Sequence, residues 1–192
     1  MRNRFHLPSA FTPGETVTLS GAEFHHAVKV ARVRAGETIE LFDGKGKAAA
    51  ATVEEIESDK ACLVVTEEEV PSREAAISIE LAMSLIQLEK FELVLQKGTE
   101  LGAHRFIPLL ADRSEIREER IRGKRERWKK IIFEAVKQSG RSVIPELAEA
   151  QTVSAVLASA TTTIVFEAEE TPSAVPDQLE AVRGRGGGRD PP

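Results

Sequence analysis

Apolar and polar residues alternate with a period of two over the first third of the chain, which is the pattern of short, half-buried strands. Pro, Gly and Asp-Gly separate the runs. Strands are predicted at residues 5–7, 16–19, 38–42, 51–56 and 61–66. One short helix, residues 23–30, interrupts them, and Ser20 is placed to cap its start. The spacing predicts a small β-barrel over residues 1–72.

The apolar period changes to nearly four after residue 72, and strands begin to alternate with helices. Strands are predicted at 77–83, 105–110 and 162–166, and helices at 88–101, 114–139 and 153–159. Strands joined by helices pair in parallel through right-handed crossovers, so an α/β domain is predicted at residues 73–182. Residues 183–192 contain no apolar side chain that could join a core, and they are predicted to form a disordered tail.

Composition and charge narrow the functions to consider. Hydrophobic residues make up 41% of the chain and charged residues 30%, which is enough apolar material for a packed interior. Because the net charge is −5, nucleic-acid binding would have to depend on local basic clusters. Taken one at a time, such clusters are more commonly solvated charged faces. Three occur: Arg2 with Arg4; His25, His26, Lys29, Arg32 and Arg34; and Lys124, Arg125, Arg127, Lys129 and Lys130.

Several kinds of chemistry find no support in the sequence. It contains no P-loop, no Cys or His cluster at metal-ligand spacing and no locally supported Ser-His-acid pattern, so we predict no metal site. It also contains no apolar run long enough to cross a bilayer, and its first residues lack the hydrophobic core of a signal peptide. We therefore expect a cytoplasmic protein.

Polar residues recur along the predicted helix at 114–139 and just beyond it. Glu134, Gln138 and Arg141 are four and three residues apart, a spacing that puts side chains on one helical face. Gln offers a donor and an acceptor, and Arg offers a planar fork, so the row suits a uracil in an extruded nucleotide. An exposed helix face is the alternative. Lys97 and Glu100 could likewise form a simple surface ion pair.

Three stretches together resemble the SPOUT-class methyltransferases that modify N3 of a uridine in 16S ribosomal RNA. The first is EFHHAVKV at residues 23–30, with Arg32, Gly36-Glu37 and Phe42-Asp43-Gly44. The second is FELVLQKGTELG at 91–102. The third is RWKKI at 127–131, followed by Glu134-Ala135, QSGR at 138–141 and Pro145. The order and spacing of the three stretches agree over residues 2–145.

The resemblance implies a PUA-like barrel that binds RNA, and a knotted α/β domain that dimerises and holds S-adenosylmethionine. The small ribosomal subunit would be the partner. Glu134, Gln138 and Arg141 would line the uridine site as catalytic residues, with Glu134 able to act as a base and Arg141 able to stabilise negative charge on a uracil oxygen. Glu167 is the candidate cofactor contact. The candidate RNA-binding residues are Arg2, Arg4, His25, Arg32, Arg34, Lys97 and Arg127.

The chain departs from the family pattern in its last part. The family's Gly-Pro-Glu-Gly-Gly loop and its later Leu-Gly-x-x-Ile-Leu-Arg segment, which form the knot and surround the methyl donor, are absent. We therefore expect a sequence truncated before the knot, which could be inactive as written. An RNA-binding module without catalysis is the second hypothesis. An interaction domain that binds no nucleic acid is the third, and it is supported only by the acidic balance.

Overall fold

The computed structural model describes residues 3–66, 70–85, 88–110 and 121–159. The chain divides into two compact units, Met1–Ala150 and Gln151–Pro192. The first unit contains an N-terminal curled sheet and a second, parallel sheet with two helices. The division into two units falls after Ala150 and does not test the predicted domain boundaries. Domains at residues 1–72 and 73–182, with a tail at 183–192, therefore stay a prediction.

Five strands form the N-terminal sheet: β1 Arg4–His6, β2 Thr16–Ser20, β3 Thr38–Phe42, β4 Ala48–Ile56 and β5 Lys60–Val65. Their order in the sheet is β1-β3-β4-β5-β2. β1 pairs in parallel with β3, and the other neighbours are antiparallel. Alternation produces the core: Val17 and Leu19 of β2 face inward with Ala61, Leu63 and Val65 of β5. The predicted strands are confirmed with small shifts at their ends.

A short helical segment follows β2. Helix α1, Gly21–His25, continues into a π-helical turn, His26–Val30. Ser20 occupies the residue before α1, but its side chain makes no capping hydrogen bond, so its predicted role as a cap is wrong. The segment ends near Arg32, which has a φ of 57° and is therefore in the left-handed region that non-glycine residues seldom adopt.

The second sheet confirms the predicted parallel arrangement. β6 (Glu80–Ser84) and β8 (Glu146–Leu147) flank β7 (Arg105–Leu110), and both pair with it in parallel. β8 was missed because two residues are too few to show a period. The strand predicted at 162–166 lies outside the described residues.

Helices α2 (Leu88–Glu100) and α3 (Arg125–Ser139) pack against this sheet and against each other. Phe91 of α2 and Trp128 of α3 stack with their ring centroids 4.7 Å apart, at the centre of the second core. Gly98 lets α2 approach β7, because a Cβ there would come within 2.7 Å of Leu81 and Phe106. Helix α3 ends as predicted, at Ser139, and Gly140 follows in the left-handed conformation with a φ of 79°. It begins only at Arg125, after a turn at Gly123-Lys124, so the prediction of one continuous helix over 114–139 is wrong there.

The two sheets of the first unit meet beside β1 and helix α3. The rings of His6 and Phe133 lie 5.3 Å apart, edge to face. Gly44 accepts a backbone hydrogen bond from Ile144, and Gly46 donates one to Ser142. Main-chain bonds of this kind leave little freedom between the two sheets.

The described part of the second unit is short. It contains β9, Gln151–Thr152, which was not predicted, and helix α4, Val153–Ser159, which has the bounds that the apolar pattern predicted. The Thr152 hydroxyl caps the helix by accepting a hydrogen bond of 3.2 Å from the Ala155 amide.

Candidate nucleic-acid interface

A groove of about 360 Å³ lies along helix α3, and Gln96 of α2 contributes to its wall. Ile131 and Ala135 supply its apolar lining. Glu134 and Gln138, two of the predicted site residues, line the same groove. Both side chains are exposed, and neither has a hydrogen-bond partner in the part of the chain that the structure describes. We call this cavity the α3 groove; its other lining residues are Arg127 and Lys130.

Two cations, Arg127 and Lys130, and one carboxylate, Glu134, line the α3 groove. Arg127 donates two hydrogen bonds to the Glu92 carboxylate, of 2.6 and 2.7 Å, which hold the pKa of Glu92 below its ordinary value. Lys130 is exposed and has no acidic partner among residues 3–66, 70–85, 88–110 and 121–159. Sequence reasoning missed Lys130 as a site residue, although it lies four residues before Glu134 and therefore on the same helical face.

Arg141, the third member of the predicted row, does not lie with Glu134 and Gln138. The helix ends at Ser139, and the left-handed Gly140 turns the chain away, so the prediction of one shared face is wrong. Arg141 is only 1% exposed. Its guanidinium donates to the backbone carbonyls of Thr99 and Ala103, at 3.0 and 2.6 Å. These contacts contradict its placement against a flipped base, and any part it plays in methylation stays a prediction.

The partner of Arg141 is Glu74, which lies on the segment before β6. One Glu74 oxygen accepts hydrogen bonds of 2.9 and 2.7 Å from the Arg141 guanidinium. The other accepts from the backbone amides of Ser142 and Val143. Burial would raise the pKa of Glu74, but the bonds from Arg141, Val143 and Ser142 outweigh it and hold the pKa below its ordinary value.

Arg4 was predicted to contact RNA, and this stays a prediction, although the structure shows its side chain buried and paired within the protein. Its side chain is 8% exposed, pairs with Glu40 and lies over the Phe42 ring. It also donates to the Arg141 carbonyl and, at 2.9 Å, to the Ser142 hydroxyl. These contacts use the hydrogen-bond donors of the Arg4 guanidinium within the protein. They also connect β1 to the residues that follow α3.

The other basic residues predicted for RNA are on the surface. His25 lies in α1, and Arg32 and Arg34 follow the π-helical turn; all three are exposed, as is Lys29 within the turn. None of these four side chains has a hydrogen-bond or ion-pair partner among the residues that the structure describes. These four residues are called the cationic turn below, and they form a surface that a phosphate backbone can reach.

Lys97 forms a 2.8 Å ion pair with Glu100, three residues away on α2, as the alternative explanation of that pair predicted. It remains more than half exposed, so its assignment to RNA stays a prediction. Arg2 and Glu167 lie outside the described residues. In the ranges that the structure covers, no cluster of His, Cys, Asp and Glu is arranged to hold a metal ion. Likewise, no described helix is long and apolar enough to span a bilayer.

The charges at the α3 groove include one cation without a described partner. Arg127 is paired with Glu92, and the Glu134 carboxylate lines the same groove. Lys130 is therefore the cation at this groove that a nucleotide phosphate can reach without breaking an ion pair among the described residues.

A curled, PUA-like sheet joined to a parallel α/β sheet is the architecture of SPOUT-type RNA methyltransferases. The RNA methyltransferase domain family matches residues 73–187, and the RNA methyltransferase PUA domain matches residues 19–67. The chain belongs to the RNA methyltransferase domain family.

Individual relatives agree with this assignment. The chain is 38% identical over 134 residues to the ribosomal RNA small subunit methyltransferase E of Bacillus subtilis; the match covers 69% of this chain and 52% of the relative. The chain thus spans about half the length of that curated relative.

Two solved structures are similar in fold. The Neisseria gonorrhoeae enzyme of the same name, bound to S-adenosyl methionine, superposes with a TM-score of 0.77 at 26% identity, covering 95% of this chain and 87% of its own. A putative Legionella pneumophila methyltransferase with the same cofactor gives 0.75 at 27% identity, covering 89% and 73%.

Proposed function

We propose that the native protein carrying this chain methylates N3 of a uridine in 16S ribosomal RNA with S-adenosylmethionine as the donor. The α3 groove is the observation that carries this proposal, because unpaired Glu134, Gln138 and Lys130 side chains line an open cavity on the helix that the family match includes. The names of the relatives support small-subunit ribosomal RNA as the substrate, and the family resemblance supports N3 of a uridine within it. The S-adenosyl methionine bound in the two solved neighbours supports the donor.

Each groove residue has a role that its chemistry allows. The Gln138 amide can donate to a uracil oxygen beside N3, so it can orient the edge of an extruded base and leave N3 free to react. Glu134 can accept the N3 proton, which must leave when the nitrogen attacks the methyl group. Lys130 can neutralise a phosphate or an oxyanion on the pyrimidine. S-adenosylmethionine supplies the electrophilic methyl group, and Glu167 stays the predicted contact for it.

Further elements of the proposal concern the assembled protein. We infer a cytoplasmic homodimer that acts on the small ribosomal subunit or its RNA. The N-terminal sheet at residues 1–72 would position RNA through the cationic turn, and residues 73–182 would carry the transfer. The family resemblance supports the dimer.

Methyl transfer is tested by incubating the native protein with labelled S-adenosylmethionine and 16S ribosomal RNA or small subunits that lack the modification. Digestion and mass spectrometry of the RNA then identify the product. We expect N3-methyluridine. Gln138→Ala and Lys130→Ala should lower kcat/KM by about 10- to 100-fold, because each removes a contact to the reacting nucleotide. Lys60→Ala, at a partly exposed lysine of β5, is the matched control and should leave turnover unchanged.

A non-catalytic RNA-binding module is the second candidate, and the burial of Arg4 and Arg141 leaves the cationic turn as its main surface. Calorimetric titration with S-adenosylmethionine separates the two candidates. Saturable heat supports the enzyme. RNA binding without saturable heat and without label in the RNA would support the module and reject the methyltransferase.

A further inference from the structure

Lys137 lies on helix α3, next to Gln138, but its side chain points to the N-terminal sheet and not into the α3 groove. Its ammonium group donates to both oxygens of Glu23, at 3.0 and 3.2 Å, and lies 2.9 Å from Nδ1 of His26. Glu23 belongs to α1, and His26 begins the π-helical turn. One lysine therefore joins the helix of the groove to the segment that bears the cationic turn.

The surroundings of this ammonium group make the junction specific. The Lys137 side chain is 9% exposed, and the rings of Phe5 and Phe133 lie 5.8 and 5.5 Å from its nitrogen. Charge interactions are stronger where water is excluded. Glu23 is itself held, because one of its oxygens also accepts a 3.0 Å hydrogen bond from the His6 amide. A buried lysine cannot reach an RNA phosphate without losing these partners.

The segment that Lys137 holds is also internally fixed. Ala31 donates a backbone hydrogen bond to His26, and Val33 donates one to Ala27. Arg32 and Arg34 leave the turn on this bonded frame. The positions of the exposed cations relative to α3 therefore follow from where Glu23 and His26 are anchored.

We propose that Lys137 is a positioning residue for RNA: it sets the distance and orientation between the cationic turn and the α3 groove, so that one RNA segment contacts both. The inference rests on the proposed function. It adds the residue that connects the two proposed RNA-binding surfaces, the cationic turn and the α3 groove. Two binding surfaces held at a fixed spacing bind one ligand more tightly than the same surfaces loosely joined, because the second contact becomes intramolecular. Lys137 contributes to affinity in this way without touching the RNA.

The test is a double-mutant cycle on RNA affinity, measured by fluorescence anisotropy with a labelled 16S ribosomal RNA transcript at low ionic strength. Lys137→Met removes the charge and keeps a side chain that can pack between Phe5 and Phe133. It is combined with a variant in which Lys29, Arg32 and Arg34 are all replaced by Ala. We expect Lys137→Met to raise the Kd about tenfold in the parent and less than about twofold in the triple variant, because its effect acts through the cationic turn.

Lys60→Met is the matched control, since it makes the same charge change at another ion-paired lysine of the N-terminal sheet, a partly exposed one whose partner is Glu57, and it should not change the Kd in either background. Glu23→Gln removes the charge partner of Lys137 from the other side and should give the same pattern. An equal factor in both backgrounds would overturn the proposal, because Lys137 would then contact RNA itself. An unchanged Kd in the parent would overturn it as well.

Protein stability and methyl transfer are measured in assays separate from the RNA-affinity cycle. Thermal unfolding of every variant shows whether the protein is folded, and a purely structural role would lower Tm equally in both backgrounds without producing the expected pattern in Kd. The anisotropy assay needs no methyl transfer. A protein that binds RNA with the expected coupling but transfers no methyl group would retain the inference about Lys137 and reject the proposed reaction.

Discussion

Glu74 accepts four hydrogen bonds from three consecutive residues, Arg141, Ser142 and Val143. The Arg141 guanidinium also binds the Thr99 carbonyl at the end of α2, where the last carbonyls of a helix lack partners within it. One carboxylate and one guanidinium thus join the segment before β6, the end of α2 and the end of α3. Removing either partner would leave a buried charge without compensation.

Replacing Glu74 with Gln should destabilise the protein in a pH-dependent way. The pKa of Glu74 is lowered in the folded protein, so its stabilising effect is complete above the unfolded glutamate pKa of about 4.3 and disappears as the pH falls through the folded value. At neutral pH we expect Glu74→Gln to lower the free energy of unfolding by about 1–3 kcal/mol. Urea unfolding at a series of pH values measures the difference.

The parent and the Gln variant should approach the same stability as the pH falls below the ordinary glutamate range, since the parent carboxyl is then neutral too. Glu80→Gln is the control: Glu80 pairs with Arg105 at 3.4 Å and is half exposed, so its loss should change stability by less than about 0.5 kcal/mol. A gap between parent and Glu74→Gln that stays constant down to strongly acidic pH would contradict the argument.

Helical spacing alone could predict part of the candidate site. Glu134 and Gln138 are four residues apart within α3, and both line the groove as that spacing implies. Arg141 has the helical spacing too, three residues after Gln138, but it lies beyond Gly140, whose left-handed conformation ends the helix. Arg4 and Arg141 appear in the sequence as exposed basic residues, and only their distant partners, Glu40 and Glu74, show that they are buried.

At the scale of elements, the turn between α1 and β3 shows how a short segment presents charge. The π-helical turn leaves Lys29 and Val30 exposed, and Arg32 then adopts a φ of 57°. A non-glycine residue in the left-handed region costs about 1 kcal/mol. We infer that this strained position is tolerated because it directs the chain toward β3 with the guanidinium in solvent.

Arg32→Gly should separate stability from binding. Glycine adopts a positive φ freely, so the free energy of unfolding should stay within about 0.5 kcal/mol of the parent or rise slightly. RNA affinity should fall, because one cation of the cationic turn is lost. Arg34→Gly is the matched control, since Arg34 has no positive φ: it removes the same charge but should lower stability. Denaturation and RNA anisotropy measure the two effects, and a clear loss of stability in Arg32→Gly would reject the strain argument.

The elements themselves were largely predictable where they were long and regular. The strands at 38–42 and 105–110 have the bounds that the sequence pattern predicted. The two-residue β8 has no such pattern and depends on its parallel pairing with Arg105 and Phe106. The conversion of a predicted helix at 23–30 into an α-helix plus a π-helical turn likewise has no periodic signal.

On the scale of the first unit, contacts between the two sheets are polar as well as apolar. Arg4 binds the end of α3, Lys137 binds Glu23, and the backbone around Gly44 pairs with Val143. Each sheet also has its own buried core. Two cores joined by buried charge pairs and main-chain bonds should unfold together, because opening the junction would expose charges that have no other partner.

This predicts one unfolding transition for both cores. Trp128, the single tryptophan, reports on the second core, and the amide hydrogens of β4 and β5 report on the first through hydrogen exchange. We expect the fluorescence transition in denaturant and the exchange free energy of the slowest amides in both sheets to give the same free energy of unfolding.

Arg4→Met should lower the free energy of unfolding from both measurements by about 3 kcal/mol, because Glu40 would lose its buried partner. Arg105→Met removes a partly exposed arginine whose partners, Glu80 and Glu146, are at least half exposed, so it should lower both values much less than Arg4→Met does. If the fluorescence of Trp128 changed at a denaturant concentration where the β4 and β5 amides stayed fully protected, the two cores would be independent, and Lys137 could not transmit position between them.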